Sequence, residues 1–253
     1  YGMLDEGRSD AEILDFMEQS HYVSEEKALL GIDIAKRERD LLKEIHYEGG
    51  YSLYIGIPFC PTTCLYCSFT SYPIAAFRRQ VDAYVDAVIK EMDYVAENFK
   101  DKVLDTVYIG GGTPTTLAPD SLTVHSLAIK RASRLNQWIQ ENGVSMLHNT
   151  DETMKIAAAG AEKLGMKPYY LYRQKNMSGN FENTGYARPG KYGLYNILIM
   201  EEKQTIVALG AGSITKRVFP DGRIERCDNV KDVGLYIEKI DEMIERKKEL
   251  FAE

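Results

Sequence analysis

The sequence predicts an α/β protein built on a parallel sheet, and three stretches carry that prediction. Residues 51–59, YSLYIGIPF, are apolar, with β-branched or aromatic residues at most positions, as in a buried strand. From about Ile74 to Phe99 the spacing turns helical, with Phe77, Val81, Tyr84, Val85, Val88, Met92 and Val95 on one stripe. Residues 102–112, KVLDTVYIGGG, then read as a second strand. Strand, helix, strand is a βαβ unit, which joins parallel strands through a right-handed crossover.

The flanking elements follow in order. Residues 10–45 read as two helices; in the second, Ala28, Leu29, Ile32, Ile34, Leu41, Leu42 and Ile45 recur at mostly helical spacing. Glu48-Gly49-Gly50 ends that pattern. After the glycines at 110–112, residues 121–130, SLTVHSLAIK, look like a strand. No helix precedes it, although parallel strands need a crossover of about a dozen residues. The chain therefore reads as skipping something between Asp120 and Ser121. Thr150–Leu164 reads as a helix stopped by Gly165. Residues 167–174, 192–200, 204–212 and 213–219 look like strands of a mixed or antiparallel sheet, and Val230–Phe251 like one amphipathic terminal helix. The expected domains are a helical extension over 1–50, a core over 51–165 and a C-terminal α/β element over 166–253.

Composition narrows the function. With 253 residues and 44% apolar content, the chain can bury a sizeable core. A net charge of -7 argues against a general nucleic-acid binder. No apolar run reaches the length of a membrane span, and the opening YGMLDEGRSD lacks the basic and apolar parts of a signal peptide. A cytoplasmic location is the resulting expectation. The chain opens on Tyr1 rather than Met, so a preceding segment is expected.

Of four cysteines, three fall within eight residues: Cys60, Cys64 and Cys67, spaced C-x3-C-x2-C. Such a cluster in a reducing compartment points to a metal rather than to disulfides. Structural zinc takes four ligands, often from paired C-x2-C knuckles, and there is no second pair here. An iron–sulfur cluster also takes four cysteines as a rule. Three would leave one iron open to a ligand carrying an amine and a carboxylate. Zinc, and simple packing of the thiols, remain the other readings.

C-x3-C-x-aromatic-C, with Tyr66 as the aromatic residue, resembles the signature of radical S-adenosylmethionine (SAM) enzymes. That resemblance implies a [4Fe–4S] cluster on Cys60, Cys64 and Cys67 with SAM on the open iron. It also implies a partial (β/α)6 barrel and reductive cleavage of SAM to a 5′-deoxyadenosyl radical. The glycine loop GGGTPT fits the same family. From Tyr51 to Thr116 the chain resembles the oxygen-independent coproporphyrinogen III oxidase group, and later segments resemble its Z-type branch. By that resemblance Tyr54 approaches SAM and the cluster, Gly111, Gly112 and Thr113 contact the cofactor, and Tyr66 and Phe69 meet the adenine. Family members carry about three further βα units between the glycine loop and the strand at 121, on the order of a hundred residues.

The implied reaction is oxidative decarboxylation of two propionates of coproporphyrinogen III, with an electron donor such as flavodoxin or ferredoxin. A haem chaperone and another tetrapyrrole-directed radical SAM reaction, such as anaerobic haem opening, are the alternatives. Three departures stand out. Phe69 occupies the place of the oxidase branch's fourth cysteine, and Gly56 replaces a strand-one histidine. Residues 195–200 replace the chaperones' H-N-x-x-Y-W. In YYLYRQKN, Tyr170, Tyr172 and Gln174 share one face and Arg173 and Lys175 the other. Arg173 or Lys175 could pair with tetrapyrrole propionates, or be solvated cations on a sheet edge. His125 ends a strand, where a hydrogen-bonded structural role is expected.

Overall fold

A computed structural model describes residues 1–64, 67, 69–111, 120–125, 134–143, 150–173 and 181–252. In chain order they form α1 (Gly2–Asp5), α2 (Asp10–His21), α3 (Glu25–Leu41), β1 (Gly50–Ile57), β2 (Phe59–Cys60), β3 (Tyr72–Pro73), α4 (Ile74–Phe77) and α5 (Val81–Asn98). Next come β4 (Val103–Gly111), β5 (Ser121–Val124), α6 (Arg134–Asn142), α7 (Asp151–Lys163), β6 (Lys167–Tyr172) and β7 (Asn183–Ala187). The last elements are α8 (Leu194–Glu201), β8 (Ile206–Leu209), β9 (Ile214–Val218), β10 (Ile224–Asp228), α9 (Val233–Glu238) and α10 (Ile240–Phe251).

The fold is mixed α/β, and the chain divides into two compact units. One comprises Tyr1–Glu44, Ala118–Ala128 and Leu147–Ile197. The α2–α3 hairpin opens on a capping box between Ser9 and Glu12, and α2 ends on Tyr22 in the left-handed region. Ala28, Ile32 and Ile34 bury the inner face of α3, while Leu29 stays exposed. The same unit holds an antiparallel sheet in the order β5–β7–β6. In β6 the expected alternation is present: the rings of Tyr170 and Tyr172 stack, with centroids 6.1 Å apart. Gly185 of β7 lies against the Tyr170 ring, in space a Cβ would need.

The other unit comprises Ile45–Leu117, Ile129–Met146 and Leu198–Glu253. Its sheet runs β10–β9–β8–β1–β4. The βαβ unit is realised: β1 and β4 are parallel neighbours, with Tyr54 opposite Tyr108 and Gly56 opposite Gly110. On its other side β1 pairs in parallel with β8, and β8, β9 and β10 follow as antiparallel neighbours. Helix α5 buries Tyr84, Ala87, Val88, Glu91, Tyr94 and Val95. Val85 and Met92, expected on that stripe, are exposed, and Glu91 takes a place within it. Tyr51, Leu53, Val207, Leu209, Tyr236 and Met243 complete the core beside them.

Two expectations need correction. Residues 192–200, expected as a strand, form helix α8 from Leu194. A short run with only Asn196 strongly polar carries no period that separates the two, and here Tyr195, Ile197 and Leu198 are all buried. The terminal helix is two helices, α9 and α10, parted at Lys239, whose φ of -107° and ψ of 26° depart from helical values.

Candidate functional site

Three parallel strands, β4, β1 and β8, end at the same edge of their sheet, and their carboxyl ends are where α/β folds place ligands. The ends of β4 and β8 carry glycines at positive φ. Gly111 has φ +96°, and a Cβ there would strike the carbonyl oxygen of Ile57. A Cβ on Gly210, also at φ +96°, would strike the Gly56 carbonyl, and one on Gly212, at φ +72°, would strike the Thr70 side chain. No other residue tolerates both the positive φ and the contact. A pocket lies between these turns, lined by Tyr54 and Gly56 of β1, Phe69 and Thr70, Gly111 of β4, and the wall Ala211–Ser213.

Tyr84 ties two of the ends together. Its hydroxyl donates to the Gly56 carbonyl at 2.7 Å and accepts the Ala211 N–H at 2.9 Å. Burial pushes this phenol far above its ordinary value. Tyr54 is half-buried beside Tyr108, their rings 5.9 Å apart and nearly parallel, and burial raises its pKa too.

The cysteine loop leaves β1 directly into this pocket's rim. Cys60 sits in β2, and the Cys67 N–H donates to the Cys64 carbonyl at 3.1 Å, closing a turn between those two. All three are free thiols, Cys64 exposed and the others half-buried. Among the described residues, no three His, Cys, Asp or Glu side chains stand close enough together to hold a metal. What fits a cluster is the donor set and its place: three unpaired thiols on one loop at the sheet's carboxyl edge. Cys227 lies elsewhere, on β10 opposite Thr215, where burial pushes its thiol pKa up.

The remaining predicted residues are scattered. Phe69 lines the pocket with 77% of its surface exposed. Tyr66, Gly112, Thr113 and Lys175 lie outside the described residues. Arg173 follows β6 in the other unit and is exposed. His125 accepts or donates at Nδ1 to the Tyr172 hydroxyl, 3.2 Å away, and burial lowers its pKa. In the sequence, LGAGS (Leu209–Ser213) reads as a glycine turn or as a close-approach wall near an active site, and Ala211–Ser213 line the pocket; the tie of this stretch to Glu91 carried no motif.

The cysteine trio follows the first strand, whose two parallel neighbours carry glycines at positive φ, and residues 54–164 match the model of the Radical SAM superfamily. The chain thus carries a radical SAM domain, and its relatives include HemN, HemZ and HemW proteins. It is 26% identical to the "Oxygen-independent coproporphyrinogen-III oxidase-like protein HemZ" of Bacillus subtilis (strain 168), across 96% of this chain and 73% of that protein. It is 42% identical to "Heme chaperone HemW" of the same organism, across 53% of this chain and 38% of that one. The fold resembles the coproporphyrinogen III oxidase HemN of Escherichia coli, with a TM-score of 0.52 and 12% identity, over 86% of this chain and 73% of that one. No described helix is long and apolar enough to cross a membrane.

Proposed function

We propose that this chain is a radical SAM oxidoreductase that converts coproporphyrinogen III to protoporphyrinogen IX without oxygen. The observation that carries the reading is the cysteine loop opening onto a glycine-walled pocket at the ends of three parallel strands. Cys60, Cys64 and Cys67 would hold a [4Fe–4S] cluster, leaving one iron for the amine and carboxylate of SAM. When bound, the pair supplies hydrogen-atom abstraction from an unactivated carbon. Tyr54 would approach SAM and the cluster, Tyr66 and Phe69 would meet the adenine, and Gly111, Gly112 and Thr113 would contact the cofactor. Arg173 and Lys175 would pair with propionates, since arginine offers a planar fork to a carboxylate. Each reacting propionate would give a hydrogen atom to the deoxyadenosyl radical, lose CO2 and pass one electron to an external one-electron acceptor, and so become a vinyl group. A flavodoxin- or ferredoxin-like donor and a cytoplasmic setting belong to the same proposal.

The organisation proposed with it is a helical extension over 1–50, a radical SAM core over 51–165 and a C-terminal element over 166–253, with barrel units absent between Asp120 and Ser121. Two facts support that gap. The match to HemZ runs over 364 residues, against 253 in this whole chain. Among the described residues strand β4 is the last of its sheet, on the side where a barrel would continue. An intact mass of 28.7 kDa for the purified protein would remove the idea of a longer chain.

A haem chaperone is the second reading, favoured by the identity to HemW. Against it, residues 195–200 lack the histidine and the Tyr-Trp pair, and Tyr195, Ile197 and Leu198 are buried. Anaerobic reconstitution with iron, sulfide, SAM and coproporphyrinogen III, followed by mass analysis, separates the readings. Protoporphyrinogen and CO2 support the oxidase. Stoichiometric haem binding without SAM turnover supports the chaperone, and a linear tetrapyrrole from haem supports a ring-opening enzyme.

A further inference from the structure

Glu91 stands in the apolar stripe of α5 with its side chain fully buried, and Lys247 of α10, equally buried, meets it at 2.6 Å. Four donors satisfy the carboxylate. Oε1 accepts from Lys247 and, at 2.8 Å, from Asn229 Nδ2; Oε2 accepts from the Tyr236 hydroxyl and, at 2.9 Å, from the Gly210 N–H. Lys247 also donates to Asn229 Oδ1 at 2.7 Å. Asn229 passes the constraint on, donating from Nδ2 to the Gly210 carbonyl at 3.0 Å, while its N–H donates to the Ser213 carbonyl at 3.0 Å. The Ser213 hydroxyl donates to the Gly210 carbonyl at 2.7 Å. The outputs of this network therefore converge on Gly210 and Ser213, which bracket the pocket wall Ala211–Ser213.

A buried ion pair is a poor device for stability alone, because apolar residues of similar volume often serve as well or better. What charge adds here is direction. An apolar side chain at 91 would fill the stripe between Val88 and Val95 but leave the Gly210 N–H without its acceptor. Gly56 and Ala211–Ser213 both line the pocket, and there is no room for a Cβ on Gly210 beside the Gly56 carbonyl, so the wall's place bears on the space between them.

We propose that Glu91, paired with Lys247, is a positioning residue that fixes the Gly210–Ser213 wall and thereby sets the affinity of the pocket for SAM. This rests on the radical SAM reading above. The test compares the cluster-loaded parent with the double variant Glu91→Leu/Lys247→Met and with Tyr236→Phe. Three quantities are measured: iron per chain, the unfolding midpoint, and the SAM dissociation constant by equilibrium dialysis. The expected result is iron content equal to the parent in both, with SAM binding about tenfold weaker in the double variant and about threefold weaker in Tyr236→Phe, whatever the shift in midpoint. SAM binding within twofold of the parent in the folded double variant overturns the proposal. If the double variant does not fold, Tyr236→Phe decides by the same comparison. A loaded parent that itself binds no SAM overturns the radical SAM reading and this inference together, whereas a parent that binds beside unaffected variants removes the inference alone.

Discussion

The hydroxyl of Tyr84 bridges the carbonyl of Gly56, at 2.7 Å, and the N–H of Ala211, at 2.9 Å, so one side chain of α5 sets the spacing of two strand ends. Tyr84→Phe leaves both backbone groups buried without their partner. Such orphaned groups cost about 1–3 kcal/mol each way of counting. The expected outcome is a lower denaturant midpoint with an unchanged slope, measured by urea unfolding. A midpoint equal to the parent's would show that the bridge carries no stability.

Gly111 is the position where a single methyl group does most damage. At φ +96°, an alanine is strained, and its Cβ meets the Ile57 carbonyl, a backbone group that cannot swing aside. Strain of this kind costs about 1–3 kcal/mol before the clash is counted. Gly111→Ala is expected to destabilise the fold and to abolish SAM binding. Gly222→Ala is the control: φ is +83° there too, but nothing lies within 4 Å of the added Cβ. It should cost some stability and leave SAM binding intact. Comparable SAM binding in Gly111→Ala and the parent would contradict the close approach.

Much of this site was readable in the sequence because its parts are local. Cys60, Cys64 and Cys67 sit within one loop, and the glycines at 110–112 close a strand whose βα context is next door. The Ala211–Ser213 wall lies about a hundred residues further on, and its glycines read equally as an ordinary turn or as a wall near the site. Glu91 and Lys247 were missed for a different reason. Each occupies the buried position of a helix, Glu91 after Ala87 and Val88, Lys247 after Met243 and Ile244. A charge in such a register is the one signal available, yet its partner is 156 residues away and no local pattern names it. Helix α8 was misread because nine consecutive residues with almost no polar ones have no face to detect.

The cysteines should separate cleanly by place. Replacing Cys60, Cys64 or Cys67 by Ala is expected to lose the iron and the brown absorption of anaerobically reconstituted protein. Cys227→Ala should retain both, because that thiol is packed on β10 and not on the loop. Iron and sulfide assays check this. Stoichiometric zinc in place of iron in the parent would count against the cluster.

Strand β4 exposes apolar residues on both faces, Val107 (54%) and Ile109 (68%) on one and Tyr108 (37%) on the other, and among the described residues it forms the sheet's edge. Exposed, apolar edge strands are templates for pairing with other chains. The 253-residue chain is therefore expected to self-associate with rising concentration. Sedimentation velocity should show this, and Ile109→Lys should reduce it while moving stability by no more than about 0.5 kcal/mol, as for most surface substitutions. A parent that stays monomeric at high concentration would mean that the edge is protected.

Alkaline pH should unfold the sheet unit through its buried phenols. Burial raises the pKa of Tyr84 and of Tyr236, the latter aided by the Glu91 charge beside it. In the unfolded chain both ionise near the ordinary value of about 10. A raised folded-state pKa means that the unfolded chain releases these protons first, so stability is intact below about pH 10 and falls as pH climbs above it. Urea midpoints measured from pH 7 to 11 are expected to hold and then decline. Tyr236→Phe should flatten the decline, because the phenylalanine variant has one fewer proton to release on unfolding. An equally steep fall in that variant would assign the alkaline sensitivity to other groups.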